Sequence, residues 1–349
     1  MNLTHLLNID LPIIQAPMAG SQGSALAIAV CNSGALGSLP SAMLSPEALR
    51  AELGALRAQT DKPYNVNFFC HTSPVPDAAI EARWRASLAP YYEEFGIDAN
   101  NIVAGPARMP FDHAAAELLS EFKPKVISFH FGLPSNELLA QARSWGAKIL
   151  SSATTVAEAL WLEQHGVDMV IAQGYEAGGH RGMFLSDDLN TQLSTLALLP
   201  QIVRAIRVPV IAAGGIADAA GVAAVMQLGA AGAQLGTAYL LCNEATTSAV
   251  HRAALQSEAA ACTAVTNLFT GRPARGIVNR FMREQGPMNA HAPAFPLAAA
   301  AVTPIRAKAE AKGSGEFSPL WAGQNVSGCR NVSARDITLG LAGKLSGPA

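Results

Sequence analysis

Charged and aromatic residues are scarce in this sequence, and no block of basic residues occurs. Charged residues make up 14% of the 349 residues, aromatic residues make up 6%, and the formal net charge is −2. Proteins that bind nucleic acid or anionic membrane surfaces usually carry clustered lysine and arginine. Neither kind of partner is therefore expected, and a small-molecule ligand is the better prediction.

Cysteine pairs and targeting signals are missing as well. The five cysteines are odd in number and form no C-x-x-C pair, which argues against a disulfide framework and against a thiolate zinc site. No metal is expected. The first residues lack a basic stretch followed by an apolar run, so no secretory signal is predicted and the expected location is cytoplasmic.

One long stretch is almost free of charge and could be mistaken for a membrane span. Between residues 208 and 243 the only charged residue is Asp218. The run is interrupted by Gly214-Gly215 and by Gln227 and Gln234, whereas a membrane helix needs about 20 continuous apolar residues. These interruptions favour a strand, a turn, a helix, a turn and a strand, all buried in the core of a protein outside the membrane.

Apolar strand-like runs alternate with helical patterns along the chain, which is typical of a parallel sheet built from βα units. The predicted strands cover residues 12–16, 35–39, 63–69, 125–129, 148–152, 167–172, 209–213 and 233–235. Helices are predicted at 24–32, 46–59, 78–95, 156–165, 193–206, 218–228, 251–266 and 298–312, and another begins after Ser135. Ser45, Ser135 and Asp218 are the expected N-caps.

Eight such units predict an α/β fold, a (β/α)₈ TIM barrel, and the 50% hydrophobic content suffices for its core. The barrel is assigned to residues 1–243, with a long insertion at about 72–110 after the third strand. Long excursions of this kind are often lids or binding loops. Residues 244–349 are predicted to form a smaller, mostly helical subdomain that packs on the active-site face, returns to the barrel and ends in a polar tail.

The most informative stretch is the loop after the sixth strand, which contains four glycines, Gly174, Gly178, Gly179 and Gly182. Glycine lets a backbone adopt positive φ and approach a ligand closely. His180 lies in this loop, at the strand end where barrel enzymes bind their ligands, and its ordinary pKa suits proton transfer near neutrality. His180 is therefore the candidate acid/base residue, although a structural histidine is the alternative.

Neighbouring residues have weaker contexts. His71 and His130 also follow strands, and Cys70 lies nearby without an evident activating base. Arg181 is expected to pair with Glu176 or Asp187 rather than to bind a substrate. Alternatively, the carboxylate of Glu176 would accept a hydrogen bond from a backbone amide of the loop.

Two further glycine loops follow the seventh and eighth strands, at 213–216 and 234–237. Backbone amides at these positions often cradle a phosphate in barrels, although plain turns would look the same. A dinucleotide fingerprint, G-x-G-x-x-G between a strand and a helix, does not occur. Asn67 and Gln173 end two apolar strands, where each carboxamide could meet a flavin ring or cap a loop. Met18 could be a core residue or part of the wall behind the flavin.

Seven segments in order resemble the first class of the nitronate monooxygenase family, formerly called 2-nitropropane dioxygenases. They are Gln15–Gly20, Asn65–His71, His130–Pro134, Gln173–Gly182, Ala213–Ile216, Gln234–Thr237 and Leu320–Gln324. The resemblance implies an FMN-dependent TIM barrel that needs neither a metal nor a reduced nicotinamide. Such enzymes use O2 to oxidise alkyl nitronates, including propionate 3-nitronate, to carbonyl compounds and nitrite.

The resemblance also implies roles for individual residues. His180 matches the histidine that takes the α-proton from a neutral nitroalkane. The predicted FMN-binding residues are Ala16, Pro17, Met18, Asn67, Gln173, Gly178, Gly179, Gly214, Gly215, Gln234, Leu235, Gly236 and Thr237. The family places tyrosines late in the chain, but none follows Tyr239 here, so Phe295 or Trp321 is the candidate for that wall of the site.

Two other functions share these features. An NAD(P)H-dependent flavin reductase, acting on quinones or enoyl thioesters, would use the same scaffold and the same Gly-Gly-His loop. A barrel that binds a flavin or a phosphorylated ligand without catalysis would need only the glycine loops.

Overall fold

The strands of the protein are short, apolar and buried, as expected for parallel strands that are covered on both faces. A computed structural model describes residues 3–102 and 108–343. The strands are β1 (Ile13–Gln15), β2 (Gly37–Pro40), β3 (Tyr64–Phe69), β4 (Val126–His130), β5 (Lys148–Ala153), β6 (Met169–Gln173), β7 (Gly179–His180), β8 (Val210–Ala213), β9 (Gly232–Leu235), β10 (Thr263–Thr266) and β11 (Ala274–Ile277). Each of the eight predicted strands is present, with ends that differ by one or two residues.

Eight of these strands form one parallel sheet that curves into a barrel. Their order around the sheet is β1-β9-β8-β6-β5-β4-β3-β2. A parallel bridge between Ile14 and Leu36 joins the two remaining edges, and the backbone N–H of Gln15 donates to the carbonyl of Leu36 at 2.9 Å. The predicted TIM barrel is thereby confirmed.

Helices cover the outside of the barrel and extend beyond it. They are α1 (Leu3–Leu7), α2 (Ser24–Asn32), α3 (Pro46–Gln59), α4 (Ala78–Ser87), α5 (Ala89–Phe95), α6 (His113–Phe122), α7 (Asn136–Ser144), α8 (Val156–Gln164), α9 (Thr195–Ala205), α10 (Ala219–Gln227), α11 (Ala249–Leu255), α12 (Arg280–Gln285), α13 (Ala298–Ala311) and α14 (Ala334–Leu341). The predicted caps are confirmed, because the side chains of Ser45, Ser135 and Asp218 each accept a hydrogen bond from the first turn of a helix.

Two predicted helices are wrong in detail. Residues 78–95 form α4 and α5 rather than one helix: the helix breaks at Leu88, and Pro90, which lacks an N–H, lies in the first turn of α5. The predicted helix at 251–266 ends at Leu255, and Thr263–Thr266 is a strand. This segment is rich in β-branched residues, and it pairs with β11, whose residues follow 8 to 14 positions later in the chain.

The strands outside the barrel form a small antiparallel sheet with the order β10-β11-β7. Its edge strand, β7, belongs to the glycine-rich loop after β6. Arg275 pairs with Gly179 and Ala274 pairs with His180. The sheet therefore connects the region after residue 244 directly to the candidate catalytic residue.

The end of the described chain packs on the barrel. Helix α14 contacts α2 and α10, and the Tyr239 hydroxyl lies 3.0 Å from the Thr338 hydroxyl. Part of the predicted insertion, residues 103–107, and the last residues of the predicted polar tail, 344–349, lie outside the described residues. None of the helices in the described ranges combines the length and the apolar composition that a membrane span requires.

The contact between α2 and β2 leaves no room for a side chain at Gly37. A Cβ atom there would lie 2.2 Å from the backbone oxygen of Ala27, so we expect Gly37→Ala to lower the free energy of unfolding by about 2 kcal/mol or more. Gly54 lies inside α3 and a Cβ there meets nothing within 4 Å, so Gly54→Ala should raise stability by roughly 1 kcal/mol. Chemical denaturation of both variants measures the difference, and equal stabilities would contradict this packing.

Candidate active site

A cavity opens at the carboxyl ends of the barrel strands, where the first residues of each following loop turn inward. It is lined by residues at or just after the carboxyl ends of all eight barrel strands, by Arg108, and by the segment around Trp321 and Gly323. All fourteen residues predicted for catalysis and cofactor binding line this one cavity: Ala16, Pro17, Met18, Asn67, Gln173, Gly178, Gly179, His180, Gly214, Gly215, Gln234, Leu235, Gly236 and Thr237. The structure brings them together, and their individual roles remain predictions.

One end of the cavity is formed by glycine backbone packed closely together. Gly214 and Gly215 have φ values of 121° and 72°, which strongly favour glycine. A Cβ atom at Gly178 would lie 2.5 Å from the backbone nitrogen of Gly323, and that nitrogen donates to the Thr237 hydroxyl at 2.9 Å. The side-chain oxygen of Gln234 is buried without a hydrogen-bond partner in the described chain. A polar ligand at this end would satisfy it.

The two carboxamides at the strand ends are held differently. Gln173 donates to the carbonyl of His180 at 2.9 Å and accepts from the backbone of Gly182 at 2.7 Å, so its side chain braces the loop. Asn67 donates to the hydroxyl and the carbonyl oxygen of Ser128, at 2.9 and 3.2 Å. Gln173 thus performs the loop-capping role that the sequence left open, while it also lines the cavity.

The backbone of His180 is fixed from several sides. Besides its pairing with β11, its carbonyl oxygen accepts from Gln173 and lies 3.1 Å from Nε2 of His130. The next residue, Arg181, donates its backbone N–H to the carbonyl of Pro273 at 2.8 Å. The imidazole therefore projects from a rigid support, which catalysis requires.

The imidazole of His180 lies in an aromatic box. Its ring centroid is 5.4 Å from that of Phe295 and 5.6 Å from that of Trp321, so both residues proposed for this wall are next to His180. Phe69 and Phe131 lie about as close, with ring centroids at 6.1 and 6.0 Å. The single hydrogen bond of the ring within the described residues joins Nε2 to the Thr270 hydroxyl at 2.9 Å.

Burial lowers the pKa of His180 well below its usual value of 6.5, and the nearby cations Arg108 and Arg272 and the other histidines lower it further. His180 is thus a neutral imidazole at pH 7, which can accept a proton. Arg108 is the one formally charged side chain among the lining residues, and no lining residue in the described ranges is a carboxylate. The cavity is therefore suited to an anionic ligand.

The other histidines near the site differ from His180. Both ring nitrogens of His130 are near polar atoms of the protein, the Ser152 hydroxyl and the His180 carbonyl, each at 3.1 Å. Burial lowers its pKa to about 4. His71 lies edge-on to Phe295 at 4.8 Å, and burial together with Arg272 lowers its pKa to about 4. His130 therefore has a supporting position, and His71 lies outside the cavity lining.

Three expectations about neighbouring side chains have different outcomes. The predicted ion pair of Arg181 with Glu176 or Asp187 is wrong, because Arg181 is fully buried and donates instead to Gln192 and to the carbonyls of Gly174 and Gln173. Glu176 anchors a backbone amide, but that of Thr195 at the start of α9 rather than one in a loop, since it accepts from the backbone and hydroxyl of Thr195 at 2.8 and 3.0 Å. Burial raises the pKa of Cys70 well above its usual value, which keeps this thiol protonated.

Arg108 and Thr270 were not recognised from the sequence. Arg108 is near the end of the predicted insertion, and Thr270 lies in a segment where the sequence predicts only irregular structure. No local motif marks either residue, because only the tertiary fold brings Thr270 into contact with His180 and Arg108 into the lining of the same cavity.

A closed eight-stranded parallel barrel with a ligand cavity at its carboxyl face defines a (β/α)₈ enzyme of the kind that binds its ligands through strand-end loops. The family model for nitronate monooxygenase matches residues 1–342. The chain belongs to this family and is an oxidoreductase, as the sequence motifs indicated.

Known relatives agree with this assignment. The chain is 42% identical to a nitronate monooxygenase of Paraburkholderia phytofirmans, over 97% of this chain and 93% of that protein. It is 39% identical to a nitronate monooxygenase of Pseudomonas aeruginosa, over 99% of both chains. Among solved structures, a nitroalkane oxidase from Streptomyces ansochromogenes superposes with a TM-score of 0.88 at 38% identity, covering 98% of this chain and 97% of that one. FabK from Thermotoga maritima has a TM-score of 0.72 at 26% identity, covering 98% and 94%.

Removing the charge of Arg108 should raise the pKa of His180, because a neighbouring cation disfavours the imidazolium. We expect Arg108→Gln to move the His180 titration to higher pH, as followed by histidine NMR. Arg83→Gln, on the exposed side of α4, is the matched control and should leave it unchanged. An identical His180 titration in Arg108→Gln and wild type would show that the two side chains do not interact.

Proposed function

We propose that the protein is an FMN-dependent nitronate monooxygenase that uses O2 to oxidise alkyl nitronates, such as propionate 3-nitronate, to carbonyl compounds and nitrite. The observation that carries this proposal is the cavity itself, which joins glycine-lined strand ends to a neutral, half-buried His180 and to Arg108, with no carboxylate among its described lining residues. Neutral nitroalkanes are a second substrate group, in line with the nitroalkane oxidase among the structural relatives.

The residues of the cavity fit FMN. The side-chain oxygen of Gln234, which lacks a partner in the described chain, would accept a hydrogen bond from a hydroxyl or N–H group of FMN. The backbone amides of Gly214 and Gly215 would donate to its phosphate. Ala16, Pro17 and Met18 would back the flavin ring, and the backbone at residues 234–237 would complete the phosphate cradle. When bound, FMN supplies the electron-accepting ring and the route to O2.

The protein's own groups provide charge and proton transfer at the other end of the cavity. Arg108 would pair with the negative charge of a nitronate. It forms no ion pair with a carboxylate within the described residues, and its guanidinium lies 5.8 Å from the ring centroid of Phe295. His180 would take the α-proton from a neutral nitroalkane, which a nitronate has already lost. Phe295 and Trp321 would exclude water from the same space.

The test begins with the purified, air-oxidised protein. We expect a yellow protein that releases FMN on denaturation and produces nitrite from ethyl nitronate without added NADH or NADPH. Anaerobic ethyl nitronate should bleach the flavin. Rapid bleaching by anaerobic NADH or NADPH would favour the flavin reductase, whereas binding of FMN without reduction by nitronate would favour the non-catalytic barrel. A protein that refuses FMN on reconstitution would overturn the cofactor assignment.

His180→Asn should separate the two substrate groups. Because only a neutral nitroalkane needs a base, we expect kcat/KM for nitroethane to fall by about 100-fold or more while ethyl nitronate oxidation persists. His113→Asn, at the exposed start of α6, is the matched control. Unchanged nitroethane oxidation by His180→Asn would show that another group removes the proton.

A further inference from the structure

We propose that Thr270 is a positioning residue which holds the neutral His180 imidazole in the tautomer with its proton on Nε2, so that Nδ1 is the basic atom facing the substrate. This inference rests on the proposed function, since it concerns the same proton transfer. Neither the family motifs nor the glycine loops include Thr270.

The contact geometry restricts the His180 ring. Nε2 lies 2.9 Å from the Thr270 hydroxyl, and Thr270 is only 3% exposed, so water has little access to this contact. Nδ1 has no hydrogen-bond partner in the described chain. It does not belong to the fully buried polar atoms that lack a partner, so it keeps some accessible surface. His180 also lines the cavity. The nitrogen available to a ligand is therefore Nδ1.

The second neighbour of Thr270 favours one direction for this hydrogen bond. A hydroxyl has one hydrogen to donate and lone pairs that accept. The carbonyl oxygen of Arg272 lies 3.5 Å from the Thr270 hydroxyl, and a carbonyl can only accept. If the hydroxyl donates to this carbonyl, it must accept from Nε2–H of His180. The imidazole N–H of His180 then donates to the Thr270 hydroxyl, and the Thr270 O–H donates to the carbonyl of Arg272.

The position of Thr270 is set by the loop between β10 and β11. The backbone N–H of Leu268 donates to the Thr266 hydroxyl at 3.1 Å, and Gly271 donates to the carbonyl of Asn267 at 2.8 Å. Gly271 has a φ of 87°, and a Cβ there would lie 2.0 Å from the backbone oxygen of Pro293. The loop is packed tightly on both sides, so the hydroxyl has a defined location.

The tautomer matters for the proton transfer. In the proposed step the C–H bond of the nitroalkane breaks and an N–H bond forms at Nδ1. The electron pair of the C–H bond remains on the substrate and is delocalised onto the nitro oxygens, which yields the nitronate and an imidazolium. If the proton of the neutral ring were on Nδ1 instead, the cavity would face a donor and no base.

The experiment compares wild type, Thr270→Val and Thr270→Ser as holoenzymes. With ¹⁵N-labelled histidine, NMR should place the His180 proton on Nε2 in wild type and Thr270→Ser. In Thr270→Val it should move largely to Nδ1, because a buried N–H without an acceptor is unfavourable. The His180→Asn variant identifies the signal, and Thr303→Val, which removes an exposed hydroxyl on α13, is the matched control.

Kinetics provide the second readout. We expect Thr270→Val to lower kcat/KM for nitroethane by about 10-fold or more, to change that for ethyl nitronate by less than about 3-fold, and Thr270→Ser to restore most of the loss. A wild-type His180 protonated on Nδ1, an unchanged tautomer in Thr270→Val, or equal losses on both substrates would overturn the proposal. If wild type forms no nitrite from ethyl nitronate, the proposed function fails, and the NMR result still decides the role of Thr270.

Discussion

The pairing of two residues, Gly179 and His180, with β11 is the constraint on which the site depends. A loop with four glycines would otherwise have many accessible conformations. The antiparallel pairing, the hydrogen bond from Gln173 to the His180 carbonyl and the anchored backbone of Arg181 select one of them. The loop begins at the carboxyl end of β6, which is a barrel strand. The small antiparallel sheet that includes β10 and β11 then fixes the position of His180 in this loop.

The electrostatics of the cavity follow from the same arrangement. Burial lowers the pKa of His180 and keeps its imidazole neutral, and Arg108 and Arg272, which come from two different segments, lower this pKa further. Arg272 lies over the ring of Phe131 at 4.0 Å, a cation–π contact that stabilises a cation near the site. A neutral base next to cations is consistent with chemistry that starts from, or produces, an anion.

The predicted insertion also depends on a distant part of the chain. Helices α4 and α5 share a hydrophobic cluster with α12 and α13, in which Trp84 donates to the carbonyl of Ala298 at 3.2 Å and Tyr92 donates to that of Ala301 at 2.8 Å. An ion pair between Arg280 and Glu94, at 2.8 Å, adds to this contact. The described part of the insertion is thus packed against the C-terminal region, which restricts how this face of the barrel can open.

The sequence by itself determined the eight barrel strands, the caps at Ser45, Ser135 and Asp218, and the gathering of the glycine loops with His180, because these features depend on local periodicity and on the geometry of parallel strand ends. It missed the strand at Thr263–Thr266 and the true partners of Arg181. It also gave no sign of Arg108 or Thr270. Tertiary structure decided these. Thr270 contacts His180 from 90 residues away, whereas the partners of Arg181 and of Thr263–Thr266 lie within 7 to 14 residues along the chain. In both cases the partner depends on how the loops fold, and no local pattern encodes which backbone or side chain a residue will meet.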